Sequence, residues 1–230
     1  MGLALEVGIL ADLKARDTQG FAYHADVFKR LNSLLAARGL SQHNEPDNCQ
    51  VWSGEMMGHS GLDDVRRIGA HLDCDGSLPA PSKGEDRTDP CLAEYYAVAN
   101  REQPSLVRRF FGRARRYRRQ FDHLILHGDA EGYYLPMDFN HVLFSPEELE
   151  IPGGMVGSVP RLLAELDRIA EALGIPEDLT EASDELLEAV TAPSSDGKLW
   201  RRYGRESFGC VTLREGCRKA LAAGAALVFT

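Results

Sequence analysis

The chain has 230 residues, 43% of them hydrophobic and 27% charged, which is the balance of an ordinary globular protein and excludes long disorder. Its formal net charge of −9 repels nucleic acid and anionic membrane unless a local patch reverses the sign. No apolar run approaches the roughly 20 residues of a membrane-spanning helix. The start "MGLALEVGILADLKARD" has no basic region ahead of its apolar part and the end "ALVFT" has no prenylation cysteine, so a cytoplasmic protein is expected.

In chain order, Leu3, Leu5, Val7 and Ile9 alternate as one face of a half-buried strand. A helix follows from about Asp17 to Arg38, with Phe21, Phe28, Leu31 and Leu35 at helical spacing and Gly39 where a left-handed cap belongs. Residues 41–59 and 76–90 are weakly periodic and rich in Pro, Gly, Ser and Asp, the composition of loops; "GLDDVRRIGAHL" between them predicts a short helix. "CLAEYYAVANRE" and "PSLVRRFFGRARRYRRQF" predict two more, the second with Pro104 in its first turn. "HLILH" and "YYLPM" read as strands of a hairpin joined by "GDAEG", and "NHVLF" as another strand.

"IPGGMVGS" reads as a glycine-rich strand-to-helix turn, lacking the lysine and the length of a phosphate-binding loop. Ser158 then caps an amphipathic helix with Val159, Leu162, Leu163, Leu166, Ile169 and Leu173 inward and Gly174 at its end. "PEDLTEASDELLEAV" predicts an acidic helix, and a last helix near residues 211–222 leads into a strand at "AALVF". Strands at both ends and in the middle, with helices in clusters, predict an α+β fold: one small mixed sheet with clustered amphipathic helices, residues 1–230 as a single domain, and the terminal strands as neighbours.

Five cysteines without a CxxC pair point to reduced thiols. The nearest approach to a metal pattern is His71, Cys74 and Cys91, which lacks the fourth ligand of a tetrahedral zinc site. No cofactor and no metal are expected.

"HLILHGDAEGYYLPMDF" concentrates polar chemistry. Turn chemistry accounts for Gly128, Asp129 and Gly132. On a strand flanking that turn, His127 stands beside Asp129 and Glu131, a set able to ligate a divalent ion or share a proton. Asp138 and His141 lie three apart beside Tyr133 and Tyr134, and these four are candidate binding residues if the stretch is a recognition surface. "HGDAEGYYLP", together with the N-terminal helix pattern and "AALVF", resembles a loose group of uncharacterised bacterial proteins that share an H-x-D-x-E-G-Y-Y-x-P stretch. The resemblance implies no catalytic residue.

Residues 101–119 hold eight arginines against one acid, Glu102. Arg108, Arg109, Arg113, Arg115, Arg116 and Arg119 cover the polar side of the predicted helix. Guanidinium pairs bidentately with carboxylate and phosphate, so this face suits an acidic partner, unless the protein's own acidic helix at 177–188 neutralises it. No nucleic-acid-binding motif accompanies it, and nucleic acid is not the expected partner. The reading that follows is a non-catalytic protein-binding module, of the immunity or toxin-neutralising kind, whose contacts are the arginine face and a rim at Asp129, Glu131 and Tyr133. The competing reading is a metal-dependent hydrolase using His127, Asp129 and Glu131.

Overall fold

The computed structural model describes residues 3–83, 89–101, 118–128, 131–192 and 197–230. Their fold is α+β, as the element pattern predicts. Strand β1 (Leu3–Val7) turns straight into helix α1 (Ile9–Arg16) at Gly8, whose φ of +78° is open to glycine at no steric cost. The alternating series therefore ends at Val7. Ile9 opens a helix and joins the core on the other side of the sheet. Asp17 ends α1 and caps α2 (Thr18–Ala37), its carboxylate accepting the amides of Gln19 and Gly20 at 3.0 Å. Gly39 then closes α2 in the left-handed conformation expected of it, at φ +68°.

The stretch read as loop at 41–59 contains β2 (Trp52–Met56), which pairs antiparallel with β1. Its Gly54 hid the strand pattern. The Trp52 ring lies over that glycine, and a Cβ there would meet it. Helix α3 (Gly58–Cys74) and helix α4 (Pro90–Arg101) follow. A short helix, α5 (Asp122–Ile125), precedes β3 (Gly132–Leu135) and β4 (Leu143–Phe144). Strand β5 (Met155–Ser158) runs into α6 (Val159–Leu173), then come α7 (Asp184–Thr191), α8 (Leu199–Arg202), α9 (Gly204–Ala223) and β6 (Leu227–Phe229).

The strand order is β2-β1-β6-β3-β5-β4, with β3 and β5 parallel and the other pairs antiparallel. Both ends of the chain meet at the centre, where Leu5 pairs with Phe229 and Val7 with Leu227. One sheet face carries Leu3, Leu5, Val7, Tyr134, Leu227 and Phe229 against α3, α4, α6, α7 and α9. The other carries Tyr133, Leu135, Val156 and Val228 against α1 and α2. Among the described residues no helix is long and apolar enough to cross a membrane.

Two expectations are corrected. "HLILH" and "YYLPM" do not form a hairpin: the first is the helical turn α5, and β3 pairs with β5 and β6. Tertiary partners override the strand pattern. The buried carboxylate of Glu165 on α6 accepts the amides of His123 and Leu124 at 3.1 and 2.7 Å. The guanidinium of the fully buried Arg66 donates to the carbonyls of Leu124, His127 and Gly128 at 2.9, 2.6 and 3.2 Å. Both ends of the turn are thereby satisfied away from water. "IPGGMVGS", expected to be a glycine-rich turn between a strand and a helix, itself contains the strand β5, which runs directly into α6. The helix predicted over 104–121 falls largely outside the described residues.

Candidate interaction surface

The polar stretch that draws attention in the sequence lies largely inside the protein. His127 is 2% exposed, and its ring stacks on Tyr134 with centroids 3.9 Å apart. Its Nε2 lies 3.2 Å from the Tyr133 carbonyl and its Nδ1 3.4 Å from that of Gly128, so the neutral ring donates to one of two carbonyls. Burial, with the charge of Arg66 nearby, pushes His127 down to about 3. Glu131 lies exposed on the surface, while Asp129 is outside the described residues. The structure therefore does not set His127 and Glu131 in one solvent-facing pocket.

Tyr133, expected on the rim, and Tyr134, expected to take part in binding, are 1% and 0% exposed. They are core residues because β3 is central and covered on both faces. The Tyr133 hydroxyl meets Nδ1 of His24 at 2.9 Å, and the Tyr134 hydroxyl donates to the His123 carbonyl at 2.7 Å. His123, also buried, accepts the Ser158 amide at Nδ1 over 3.0 Å, leaving Nε2 to donate toward the Asn140 carbonyl at 3.3 Å; burial pushes it down to about 4. Gly132 also changes meaning. A Cβ there would overlap the His127 ring, so the glycine serves ring packing rather than a hairpin turn.

Asp138 and His141 are exposed, and Asp138 accepts a charge-assisted bond from Arg161 at 2.6 Å. Of the arginines singled out, Arg108, Arg109, Arg113, Arg115 and Arg116 lie outside the described residues. Arg119 contacts both carboxylate oxygens of Asp122, at 3.3 and 3.1 Å, and its backbone amide donates to Asp73. Two acidic partners of Arg119 are thus Asp122, three residues on, and Asp73 at the end of α3.

What sequence reasoning underweighted is the distribution of acid. Residues 101–119 carry eight arginines and one glutamate, so the other 211 residues hold 18 bases against 34 acids, a net charge of −16. The two longest windows without Lys or Arg are residues 120–160 with seven acids and residues 169–197 with eight.

The first window surfaces around α2 and β4. Glu131, Glu147, Glu148 and Glu150 are exposed, and Arg30 of α2 ties Asp26 (3.1 Å) to this rim through the Glu150 carbonyl (2.6 Å). The second window surfaces over α9, with Glu171, Glu177, Asp178, Asp184, Glu185 and Glu188 exposed. Residues 176–183 are turns rather than the predicted helix, because Ser183 Oγ accepts the Thr180 amide at 3.0 Å and competes for the backbone. In that conformation Glu177 reaches Arg214 and Arg218, both at 2.9 Å; these bonds hold its carboxyl below the usual range. Chemically the two faces expose carboxylates, some already paired with arginines (Asp138 with Arg161, Glu185 with Arg201, Glu177 with Arg214 and Arg218) and others, such as Glu147 and Glu148, facing solvent.

Comparison with curated proteins and with solved structures returns no significant match. A protein-family comparison matches residues 1–229, so effectively the whole chain, and the chain belongs to the family described as "Putative DNA-mimic protein".

Proposed function

We propose that this protein acts without catalysis, in the cytoplasm, by presenting its carboxylate faces to the DNA-binding surface of another protein in place of duplex DNA. A duplex offers one phosphate charge per roughly 1.7 Å of its axis to a Lys- and Arg-lined site. A protein competing for that site needs dense, exposed anions in excess of the cations beside them. The observation that carries the reading is the pair of acid-only windows, at 120–160 and 169–197, each of which surfaces as a run of exposed carboxylates. Family membership by description points the same way. The partner is then a basic, DNA-handling protein, and a toxin-neutralising role against a nuclease is one form that such blocking takes.

A panel of purified duplex-DNA-binding proteins, each loaded with a short fluorescent duplex, tests the proposal. The protein should release the duplex from at least one of them, and rising salt should weaken that release. Two neutralised variants assign the face: Glu131→Gln/Glu147→Gln/Glu148→Gln, and Asp184→Asn/Glu185→Gln/Glu188→Gln. One of them should retain the wild-type melting temperature and lose the competition. If no panel member releases its duplex, or both variants compete as the wild type does, the proposal fails.

A further inference from the structure

Independent of any partner, three side chains from two helices meet where α4 packs on α3. His71 of α3, Asp89 just before α4 and Cys91 in its first turn place one ligand atom each within 4.8 Å of one another. His71 Nε2 and Asp89 Oδ2 are already 3.1 Å apart. Around a tetrahedral zinc ion, with bonds of about 2.0–2.3 Å, neighbouring ligand atoms stand about 3.3–3.6 Å apart. The His71–Asp89 pair is already at about that separation, and the Cys91 sulfur, within 4.8 Å of both, would have to close by at most about 1.2–1.5 Å.

The carboxylate is divided between two tasks. Asp89 Oδ1 accepts the amides of Cys91 and Leu92 at 2.9 and 3.0 Å, capping α4. That anchoring aims Oδ2 at His71, as an outer-shell bond orients a metal ligand. Cys91 is 6% exposed, while the side chains of Asp89 and His71 are 9% and 17% exposed, so the group is nearly closed, with its opening on the His71 side. Thiolate with imidazole selects zinc and related thiophilic ions, whereas calcium and magnesium prefer oxygen alone.

We propose that His71, Asp89 and Cys91 bind one thiophilic divalent ion of the zinc class, clamping α4 onto α3 and leaving a fourth position open to water or an external ligand. Cys74, one turn beyond His71, is not part of the set. Binding removes the Cys91 thiol proton to solvent.

Cobalt(II) is the probe. Reduced, chelator-stripped protein titrated with Co²⁺ should saturate at one equivalent, with a thiolate-to-cobalt charge-transfer band and the strong visible absorption of a four-coordinate ion. Zn²⁺ should then bleach both. Cys91→Ser should abolish the charge-transfer band and Cys74→Ser should keep it.

Asp89→Asn is the discriminating variant, since Asn caps a helix as well as Asp does but offers no anionic ligand. His71→Gln and Asp89→Asn should each lower Zn²⁺ affinity at least about tenfold, the loss that removal of even an outer-shell partner causes. Both keep every thiol, so they carry the test if Cys91→Ser fails to fold. The inference is overturned if folded wild-type protein gives no charge-transfer band. It is equally overturned if His71→Gln and Asp89→Asn bind metal with the affinity of the wild type, or if the band depends on Cys74 instead of Cys91.

Discussion

His127 offers the sharpest quantitative test of the buried cluster. Its folded pKa of about 3 lies well below the ordinary 6.5 because burial disfavours the imidazolium. The unfolded chain therefore takes up a proton near pH 6.5 that the folded chain refuses until about pH 3. Stability from this residue is complete above pH 6.5 and is lost as pH falls, by about 1.4 kcal/mol per unit across that window.

Between pH 7 and pH 5 the loss is about 2 kcal/mol. That value is insensitive to the folded pKa, which sits far below the range. The raw pH profile of the wild type mixes this slope with that of Glu45, Glu165 and Glu206, whose pKa values burial raises; those groups gain stability as pH falls. A comparison with His127→Phe cancels them. Phe keeps a flat ring against Tyr134 and does not titrate, so its packing cost is a constant offset. Urea unfolding of both proteins at pH 7, 6 and 5 should show the wild type losing about 2 kcal/mol relative to the variant. Parallel stabilities across that range would refute the neutral, buried histidine.

Gly132→Ala forces a Cβ into the His127 ring at a backbone φ of +150°; overpacking and strain together should cost about 2–5 kcal/mol, read as a lower urea midpoint. Arg66→Met strips the donors from three buried carbonyls and should cost about 3–5 kcal/mol or prevent folding, while Arg66→Lys, with a single ammonium, should recover only part of it. Glu165→Gln turns an NH₂ toward one of the two amides that the carboxylate now accepts and should cost about 1–3 kcal/mol by the same assay. By contrast, Glu147→Gln with Glu148→Gln should leave stability within about 0.5 kcal/mol, since both side chains are exposed.

The elements legible in the sequence are those whose local signals agree with their tertiary surroundings. Helix α6 has a serine cap, a clean apolar stripe and a closing glycine, and the structure uses all three. Strands β1 and β6 pair as their apolar patterns suggest.

Helix α9 was legible only from residue 211, because it is buried nearly all round and its polar residues obey no helical period. Glu206 holds Arg67 and the Ser82 amide, Ser207 the Trp200 carbonyl, and Arg214 both Asp167 and Glu177. "HLILH" failed for a related reason, since its conformation is set by Glu165 and Arg66 far along the chain. His71 and Asp89 are 18 residues apart across a loop, a spacing that no ligand signature contains.

The concentration on "HLILHGDAEGYYLPMDF" shows why a surface of this kind escapes motif reading. Catalysis fixes a few groups around a reacting atom, so it leaves histidines and carboxylates at characteristic spacings. Those same residue types here satisfy a buried turn: His123 and His127 bond backbone groups, and the tyrosines fill the two faces of β3. Electrostatic mimicry, on the reading proposed, has no reacting atom. It requires only that carboxylates be dense, exposed and in excess of the cations beside them, and many sequences meet that condition at many spacings. Its trace is therefore negative, namely the 41 residues from 120 to 160 in which no lysine or arginine occurs. In a chain that concentrates eight arginines in the nineteen residues just before, that exclusion leaves exposed carboxylates in excess of the arginines that α2 and α6 bring beside them, the balance a phosphate-reading partner would sense.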